Sequence, residues 1–203
     1  MRGVLITFEG VEGSGKSTQM LRLARWLRRQ GHRVEQTREP DGTPFGVAVR
    51  KLFERDVAPL TQALLFLAAR HEHVAYRIDP WLRARRIVLV DRYTDATVAY
   101  QGYAGGLDPE FIRELNVRAT GGLLPDLTLL FDCDPAVGFR RIGRRRLDHF
   151  ERQALAFHRR VRHGYREIQR AEPKRVRLID AARPADMVAG EVQAIVGEFL
   201  RGA

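Results

Sequence analysis

The 203-residue sequence contains a single cysteine, Cys133, which excludes an internal disulfide bond. It also lacks long apolar runs, because the longest, residues 63–69, is far below the roughly 20 residues of a membrane-spanning helix. The short apolar stretch at residues 4–8 meets Glu9 at once and has no small-residue cleavage site, so we expect no secretory signal. These absences favour a cytoplasmic protein of a reducing compartment, without a membrane partner.

Lysine is scarce in an otherwise basic chain. Lysine and arginine together number 35 against 25 acidic residues, a formal net charge of +10, yet Lys16, Lys51 and Lys174 are the only lysines. Such a charge attracts phosphate groups and nucleic acid. The arginines between Arg22 and Arg29, however, follow helical spacing opposite an apolar stripe, which is typical of a solvated face. We therefore do not expect nucleic acid to be the main partner.

Short β-rich runs alternate with longer amphipathic segments along the whole chain, without internal repeats. Most of the short runs are continuously apolar, which indicates strands buried on both faces. With 44% hydrophobic residues, the chain can bury one sizeable core. The sequence therefore predicts a single α/β domain over residues 1–203, a three-layer sandwich with a five-stranded parallel sheet. The predicted strands span residues 4–9, 33–37, 87–90, 127–131 and 176–179, and the predicted helices span residues 17–29, 46–53, 61–83, 108–120, 135–141, 151–172 and 184–200.

Residues 10–17 read GVEGSGKS and fit the phosphate-loop pattern G, four residues, G-K-[ST], between a predicted strand and a predicted helix. Glycines let backbone N–H groups converge at the helix N-terminus, where Lys16 can reach the β and γ phosphates and Ser17 can hold Mg²⁺. The alternative is a glycine-rich turn that merely feeds a helix. The residues assigned to ATP binding are Gly10, Val11, Glu12, Gly13, Ser14, Gly15, Lys16, Ser17 and Thr18.

This phosphate loop, residues 10–17, identifies a triphosphate donor but not the acceptor. No guanine-reading N-K-x-D tetrapeptide occurs, which argues against a GTPase, and 203 residues are too few for a helicase or another large motor. A small-molecule kinase is favoured, with a nucleic-acid-stimulated ATPase as the competitor from another class. Polar segments that follow predicted strands are the first candidates for the acceptor site, because ligands bind beyond the carboxyl ends of parallel strands.

Several segments in order resemble those of bacterial thymidylate kinases. They are TFEG at 7–10, TREPDGT at 37–43, LFLAAR at 65–70, DRY at 91–93, AYQG at 99–102 and PDLT at 125–128. The resemblance covers nearly the whole chain and implies a P-loop kinase fold, transfer from ATP to dTMP with Mg²⁺, a homodimer, and a small arginine-rich lid at about residues 141–151. A kinase for another nucleotide or nucleoside, or a basic P-loop ATPase that binds nucleic acid, remains the alternative.

Residue chemistry supports a thymine site beside this resemblance. Phe66 and Arg70 lie four residues apart on one helical face, so a ring and a guanidinium can stack on a base and donate to its carbonyl. Core packing is the alternative for Phe66. Gln101 offers a donor and an acceptor to a base edge, and the resemblance places Tyr100 where a 2′-hydroxyl would collide. The residues assigned to dTMP are Glu12, Arg38, Glu39, Arg50, Phe66, Arg70, Arg92, Thr97, Tyr100 and Gln101.

Transfer between two polyanions needs positioning and cations more than a base. Asp91 ends an apolar strand and Arg92 follows it, which places a carboxylate near the metal and a phosphate fork near the acceptor; a structural ion pair is the alternative. We assign the metal to Ser17 and to Asp91, the latter through water. Because the phosphate loop contains no arginine, the resemblance assigns a catalytic cation to the lid. The catalytic set is Lys16, Arg92, Arg145, Arg141 and Asp91.

Three positions depart from the pattern of that family. Asp41 stands where glycine is usual, and it either adds an anion near a phosphate site or simply occupies a turn. Ala96 and Thr97 replace a serine-rich pair, so a base contact there would come from the Thr97 hydroxyl. His149 stands where arginine is common, which bears on the lid assignment.

Overall fold

Five parallel strands form a central sheet in the computed structural model, which describes residues 2–53, 57–143 and 154–202. The strands are β1 (Val4–Glu9), β2 (Val34–Arg38), β3 (Ile87–Asp91), β4 (Leu127–Asp132) and β5 (Val176–Asp180). Their order across the sheet is β2-β3-β1-β4-β5. β1 pairs with β3 on one side and with β4 on the other. The strand order therefore reverses at β1, and the connecting segments diverge there and leave a crevice beyond the carboxyl end of β1.

Helices connect successive strands within the described residues and pack on both faces of the sheet. They are α1 (Lys16–Arg29), α2 (Pro44–Leu52), α3 (Pro59–His73), α4 (Asp79–Arg83), α5 (Thr94–Thr97), α6 (Pro109–Thr120), α7 (Pro135–Ile142), α8 (Leu155–Ala171) and α9 (Ala185–Gly202). Two π-helical segments, π1 (Val74–Ile78) and π2 (Val98–Ala104), continue α3 and α5. None of the described helices is long and apolar enough to cross a membrane.

The two faces of β1 bury different side chains. Leu5 packs with Ile78 and Leu82 in a cluster on one face, whereas Ile6 joins the larger cluster that includes Leu23 of α1. All five residues of β3 are buried. The continuous apolar runs of the sequence therefore reflect strands covered on both faces, and the predicted parallel three-layer sandwich is confirmed.

The predicted strands agree with the observed ones to within one residue at each end. Two helical segments were not predicted, α5 and π2, which occupy most of the polar stretch after β3. Their start carries little sequence signal, because α5 has no side-chain cap at Tyr93 and no proline in its first turn, and Asp95 is its one acidic residue there. Where one helix is predicted at 61–83, three helical segments follow one another without a break: α3, π1 and α4. Most of the predicted lid, with Arg145 and His149, lies outside the described residues, as does the predicted helix start at residue 151.

Candidate active site

The carboxyl ends of the central strands open on a cavity of about 440 Å³, a size suited to a small organic ligand. Its walls come from the phosphate loop, the loop after β2, α2, α3, and the segment after β3. The structure brings together in this one cavity all ten side chains assigned to the acceptor from sequence, together with Lys16, Ser17 and Asp91. Of the nine residues assigned to ATP, Glu12, Gly13, Lys16 and Ser17 line this cavity, whereas Gly10, Val11, Ser14, Gly15 and Thr18 do not.

The phosphate loop follows β1 and leads directly into α1. Gly10 and Gly13 have φ values of 137° and 70°, a region that side-chain-bearing residues rarely adopt. A Cβ atom on Gly10 would overlap the carbonyl oxygen of Phe131. Helix α1 begins without a side-chain cap, which leaves the N–H groups of its first turn for an anion.

Lys16 folds back over the phosphate loop and is buried. Its ammonium donates to the carbonyl oxygens of Gly10 at 3.0 Å and Val11 at 2.9 Å. Because burial removes the ammonium from water, and the Arg92 guanidinium lies nearby, the pKa of Lys16 is lowered to about 8. A polyanion bound in the loop would restore the preference for the charged form.

The two residues assigned to the metal lie side by side. The Ser17 hydroxyl donates to Oδ2 of Asp91 at 2.7 Å, and Nη2 of Arg38 lies 4.0 Å from the same carboxylate oxygen. This arrangement joins the start of α1 to the end of β3. It places one hydroxyl and one carboxylate, both oxygen donors, at the mouth of the phosphate loop.

The backbone of Arg92 adopts a left-handed conformation, with φ of 69°. Such a conformation costs a non-glycine residue on the order of 1–3 kcal/mol, and it persists only where the surrounding structure holds it. Two hydrogen bonds hold it here: the Arg92 amide donates to the Phe8 carbonyl at 3.0 Å, and the Tyr93 amide donates to Oε1 of Glu9 at 2.7 Å. The turn therefore directs the Arg92 side chain back into the cavity.

The Arg92 side chain lies within a cluster of acceptor residues. Its Nη2 donates to Oε1 of Glu12 at 2.6 Å, and its Nη1 donates to the Tyr165 hydroxyl at 3.2 Å. The guanidinium lies over the Tyr100 ring, 4.9 Å from its centroid. The Tyr100 hydroxyl in turn donates to the Glu12 carboxylate, 2.7 Å from each oxygen. A phosphate that enters this cluster would compete with Glu12 for Arg92.

Arg70 is 1% exposed and donates four hydrogen bonds within the protein, one from Nε, two from Nη1 and one from Nη2. Its Nε and Nη2 contact Oε2 of Glu39 at 2.8 and 2.7 Å, and its Nη2 also donates to the Tyr93 carbonyl at 2.9 Å. Its Nη1 donates to the Thr97 hydroxyl at 2.9 Å and to the amide oxygen of Asn116. The predicted base contact of Arg70 therefore comes in addition to a structural role that the sequence did not reveal.

Glu39 lines the cavity and lies between the side chains of Arg70 and His73. Burial alone would raise the pKa of its carboxyl, but the Arg70 guanidinium beside it holds that pKa below its ordinary value. Nδ1 of His73 lies 3.3 Å from Oε1 of Glu39, and Nε2 of His73 is 2.8 Å from the Thr37 hydroxyl. His73 is thus a buried link between α3 and the strand β2, whereas its neighbour His71 is exposed.

Phe66 combines a packing contact with a place on the cavity wall, and its stacking on a base stays a prediction. Its ring lines the cavity and also stacks on Phe53 with ring centroids 4.5 Å apart. Asp41 occupies the turn after Glu39 and places Oδ1 2.6 Å from Nε of Arg50. The unusual aspartate therefore adds an ion pair to the wall of the cavity where phosphate is expected.

Arg141 is the one described member of the predicted catalytic set that does not line this cavity. It extends from α7, and its guanidinium donates to the carbonyl oxygens of Ala181 at 2.7 Å and Ala182 at 3.2 Å. This contact ties α7 to the loop after β5. The catalytic role of Arg141 stays a prediction, as does that of Arg145.

Glu9 belongs to the site although the sequence analysis did not select it. It is fully buried and accepts hydrogen bonds from the Tyr93 amide and, at 2.8 Å, from the Tyr165 hydroxyl. Burial raises the pKa of Glu9 to about 7, and the nearby Asp95 carboxylate adds to this increase. Tyr165 was missed because it lies 156 residues away in sequence, and its only signal is a place on the apolar stripe of α8.

We expect Glu9 to make the protein less stable as the pH rises through 7. Between its ordinary pKa of 4.5 and about 7, the folded state keeps a proton that the unfolded state releases. The contribution to the free energy of unfolding is therefore complete below pH 4.5, declines above it, and is lost above pH 7, a total of roughly 3 kcal/mol. Urea unfolding from pH 5 to 8 measures it. Glu9→Gln should remove this pH dependence, while Glu114→Gln on an exposed helix face should retain it; an unchanged slope in Glu9→Gln would contradict the assignment.

Comparison with known proteins agrees with this geometry. The family model described as Thymidylate kinase matches residues 8–192. The chain is 48% identical to the thymidylate kinase of Thermomicrobium roseum, covering 97% of this chain and 95% of that protein. It is 46% identical to that of Solidesulfovibrio magneticus, covering 97% and 100%. The crystal structure of thymidylate kinase from Ehrlichia chaffeensis is similar, with a TM-score of 0.79 and 34% identity over 97% of this chain and 99% of that one. The chain belongs to the thymidylate kinase family.

Proposed function

We propose that this protein transfers the γ-phosphoryl group of ATP to dTMP and so produces dTDP and ADP. The observation that carries the proposal is the shared cavity, in which the phosphate loop with its Glu12 faces nine further side chains suited to a nucleoside monophosphate. Membership of the thymidylate kinase family supports the identity of both substrates.

On the donor side, the phosphate loop and the N-terminus of α1 hold the phosphates of ATP, with Lys16 at the β and γ groups. The adjacent oxygens of Ser17 and Asp91 fit Mg²⁺, a hard cation that prefers oxygen ligands. Ser17 would hold the ion directly and Asp91 through water. When bound with ATP, Mg²⁺ would neutralise charge on the β and γ phosphates.

On the acceptor side, the cavity divides by chemistry into three parts. Phe66 supplies a ring to stack on thymine, and Arg70, Thr97 and Gln101 supply polar groups for its edge. Tyr100 and Glu12 line the sugar region, and Glu39 accepts a hydrogen bond from Arg70 that holds its guanidinium in position. The cations that face the acceptor phosphate are Arg38, Arg50 and Arg92.

The reaction needs no general base, because the acceptor oxygen is already anionic. An oxygen of the dTMP phosphate forms the new bond to the γ phosphorus. The bond from that phosphorus to the bridging oxygen breaks, and ADP leaves with the electron pair. Lys16 on the donor side and Arg92 on the acceptor side bring the two polyanions together and stabilise the charge that develops between them.

The lid supplies a further cation in this proposal. Arg145 aligns best with the family's lid arginine, so Arg145→Ala should lower the turnover number about 100-fold and leave both Michaelis constants nearly unchanged, as expected for a group that acts in the transition state. Turnover at saturating substrates should be measured for single and paired alanine variants at Arg141, Arg144, Arg145 and Arg146. The paired variants show whether one arginine compensates for the loss of another. Wild-type turnover in the variant with all four changes would show that the catalytic cation is not one of these arginines.

Three further proposals concern the domain organisation, the oligomeric state and the cellular location of the protein. We propose one domain over residues 1–203, a homodimer, and a cytoplasmic location compatible with the single buried Cys133. Support for a dimer comes from the large apolar side chains exposed on the adjoining helices α3 and α6, with Leu60 at 43%, Leu64 at 50% and Phe111 at 42%. Sedimentation should give twice the chain mass, and Leu64→Glu should shift it toward a monomer.

One assay separates the proposed reaction from its alternatives. ADP release is measured with ATP and Mg²⁺ against dTMP, dUMP, dCMP, dGMP, dAMP and single-stranded DNA. We expect dTMP to be the best acceptor and to yield dTDP in equal amount to ADP. Faster release with another nucleotide would identify a different kinase, and stimulation by DNA without dTMP turnover would indicate a nucleic-acid-binding ATPase.

A further inference from the structure

His158 is a completely buried histidine on α8 that the proposed reaction does not use. Its ring packs edge-on against Phe139 and Phe157, with centroids 4.8 and 5.5 Å apart. Among the described residues, neither ring nitrogen has a hydrogen-bond partner. Buried polar groups are nearly always paired, so an unpaired imidazole between two phenyl rings requires an explanation that packing does not give.

The ring faces the carboxylate of Glu12 in the phosphate loop. Nδ1 of His158 lies 3.4 Å from Oε2 of Glu12, close but not aligned as a hydrogen bond. Burial alone would raise the pKa of the Glu12 carboxyl, but the Arg92 guanidinium beside it, with the Lys16 ammonium, holds that pKa well below its ordinary value. Glu12 is therefore an anion, and a ring nitrogen that can carry an N–H lies next to it.

The backbone of Glu12 is fixed from another direction. A Cβ atom on Gly138 would overlap the carbonyl oxygen of Glu12, and a Cβ atom on Gly13 would overlap the carbonyl oxygen of Gly138. Helix α7 thus lies directly on the phosphate loop at these two glycines. With the backbone held in place, the direction of the Glu12 carboxylate depends on its side-chain neighbours, which are chiefly Arg92 and Tyr100.

Both of these neighbours are expected to turn toward the acceptor. An incoming phosphate competes for Arg92, and the sugar lies against Tyr100. Glu12 then loses its strongest donor when the substrate binds, at the moment when its own direction matters. His158 is the neighbour that cannot follow the substrate, because α8 and the two phenyl rings enclose it.

We propose that His158 is a positioning residue for the acceptor site, whose Nδ1–H donates to Oε2 of Glu12 and holds that carboxylate in place as Arg92 and Tyr100 engage dTMP. The inference rests on the proposed function, specifically on the assignment of Glu12 to the acceptor. It explains why a polar ring is kept in an apolar pocket, since function is a common reason for a site that does not maximise stability.

The test compares three substitutions at one position. His158→Leu removes the donor and keeps apolar volume, His158→Asn keeps an N–H near the place of Nδ1, and His158→Gln moves the N–H toward the place of Nε2. We expect His158→Leu to raise the KM for dTMP about tenfold, with the KM for ATP within twofold, which is the scale of one hydrogen bond to a charged group. His158→Asn should stay within about threefold of the wild type, and His158→Gln should resemble the leucine variant.

Thermal unfolding distinguishes positioning from packing. His158→Leu should unfold at the same temperature or higher, because it removes two unpaired nitrogens from an apolar pocket. Weaker use of dTMP in a protein that is no less stable supports the proposal. An unchanged KM for dTMP in His158→Leu, an equal rise for both substrates, or a loss of stability that accounts for the rise would overturn it.

Glu12→Gln tests the role of His158 separately from the assignment of Glu12 to the acceptor. If His158 acts through Glu12, His158→Leu should add less than a twofold effect in the Glu12→Gln background. If Glu12→Gln raises the KM for dTMP but His158→Leu does not, the role of His158 is wrong and the acceptor site stands. If Glu12→Gln leaves the KM for dTMP unchanged, the acceptor assignment of Glu12 fails and the role of His158 fails with it.

Discussion

Lys16→Ala is expected to lower turnover by about 10³-fold or more, while the affinity for dTMP alone stays within a few-fold of the wild type. Lys16 serves the phosphates of the donor, and removal of one preorganised charge at a transferring phosphoryl group has an effect of this scale. The hydrogen bonds that Lys16 donates among the described residues go to the phosphate loop, at Gly10, Val11 and, more distantly, Ser14, and not to the other acceptor side chains. Calorimetry with dTMP and turnover at saturating substrates measure the two effects separately.

Lys174, one of the two other lysines of the chain, provides a matched control for this substitution. Lys174 is exposed and lies before β5, so Lys174→Ala removes the same charge and should leave turnover unchanged. Wild-type turnover in Lys16→Ala would contradict the role of the phosphate loop. An equal loss in both variants would indicate that total charge, rather than the charge at the loop, controls the rate.

Arg70→Ala is expected to lower the free energy of unfolding by roughly 3–5 kcal/mol, because it leaves Glu39 as a buried carboxylate without its main partner. It should also raise the KM for dTMP more than that for ATP, since Arg70 lines the acceptor end of the cavity. Urea unfolding and steady-state kinetics at a temperature where the variant stays folded measure the two consequences.

Two companion variants separate these consequences. Arg70→Lys keeps a charge beside Glu39 but loses the planar fork that also contacts Thr97, Asn116 and the Tyr93 carbonyl, so it should recover only part of the stability. Arg70→Ala with Glu39→Gln removes the unpaired charge and should be more stable than Arg70→Ala alone. A stable Arg70→Ala protein would show that the ion pair is not structural, and equal changes in both Michaelis constants would remove Arg70 from the thymine site.

The centre of the sheet could be predicted because β1, β3 and β4 are buried on both faces and therefore read as apolar runs. β3 reads IVLVD and is buried throughout, so its apolar run identifies it without reference to any other segment. α5 and π2 left no such mark, because their side chains are buried around a π-helical turn rather than arranged as one apolar stripe. Local periodicity therefore predicts regular elements and fails where the backbone departs from them.

The candidate site could be predicted where a residue belongs to a short motif, as Lys16 and Arg92 do. The groups that hold those residues were missed for a different reason. Asn116 reaches Arg70 from 46 residues away and Tyr165 reaches Glu9 from 156. Such partners come from other elements, and each looks in sequence like an ordinary member of a helix face. The resemblance to a family supplied the order of the motifs, whereas the supporting contacts required the folded structure.

The left-handed backbone at Arg92 has a consequence for protein engineering. At this position the backbone conformation favours glycine, while the proposed chemistry requires a guanidinium. A search that considers backbone dihedral angles alone would select Arg92→Gly, which relieves the strained dihedral. The same change would leave the Glu12 carboxylate without its ion-pair partner and delete the cation expected to meet the acceptor phosphate. Residue 92 is therefore a position where the preference of the backbone conflicts with both the ion pair and the proposed activity, and stabilised variants of this protein should be sought with that residue held fixed.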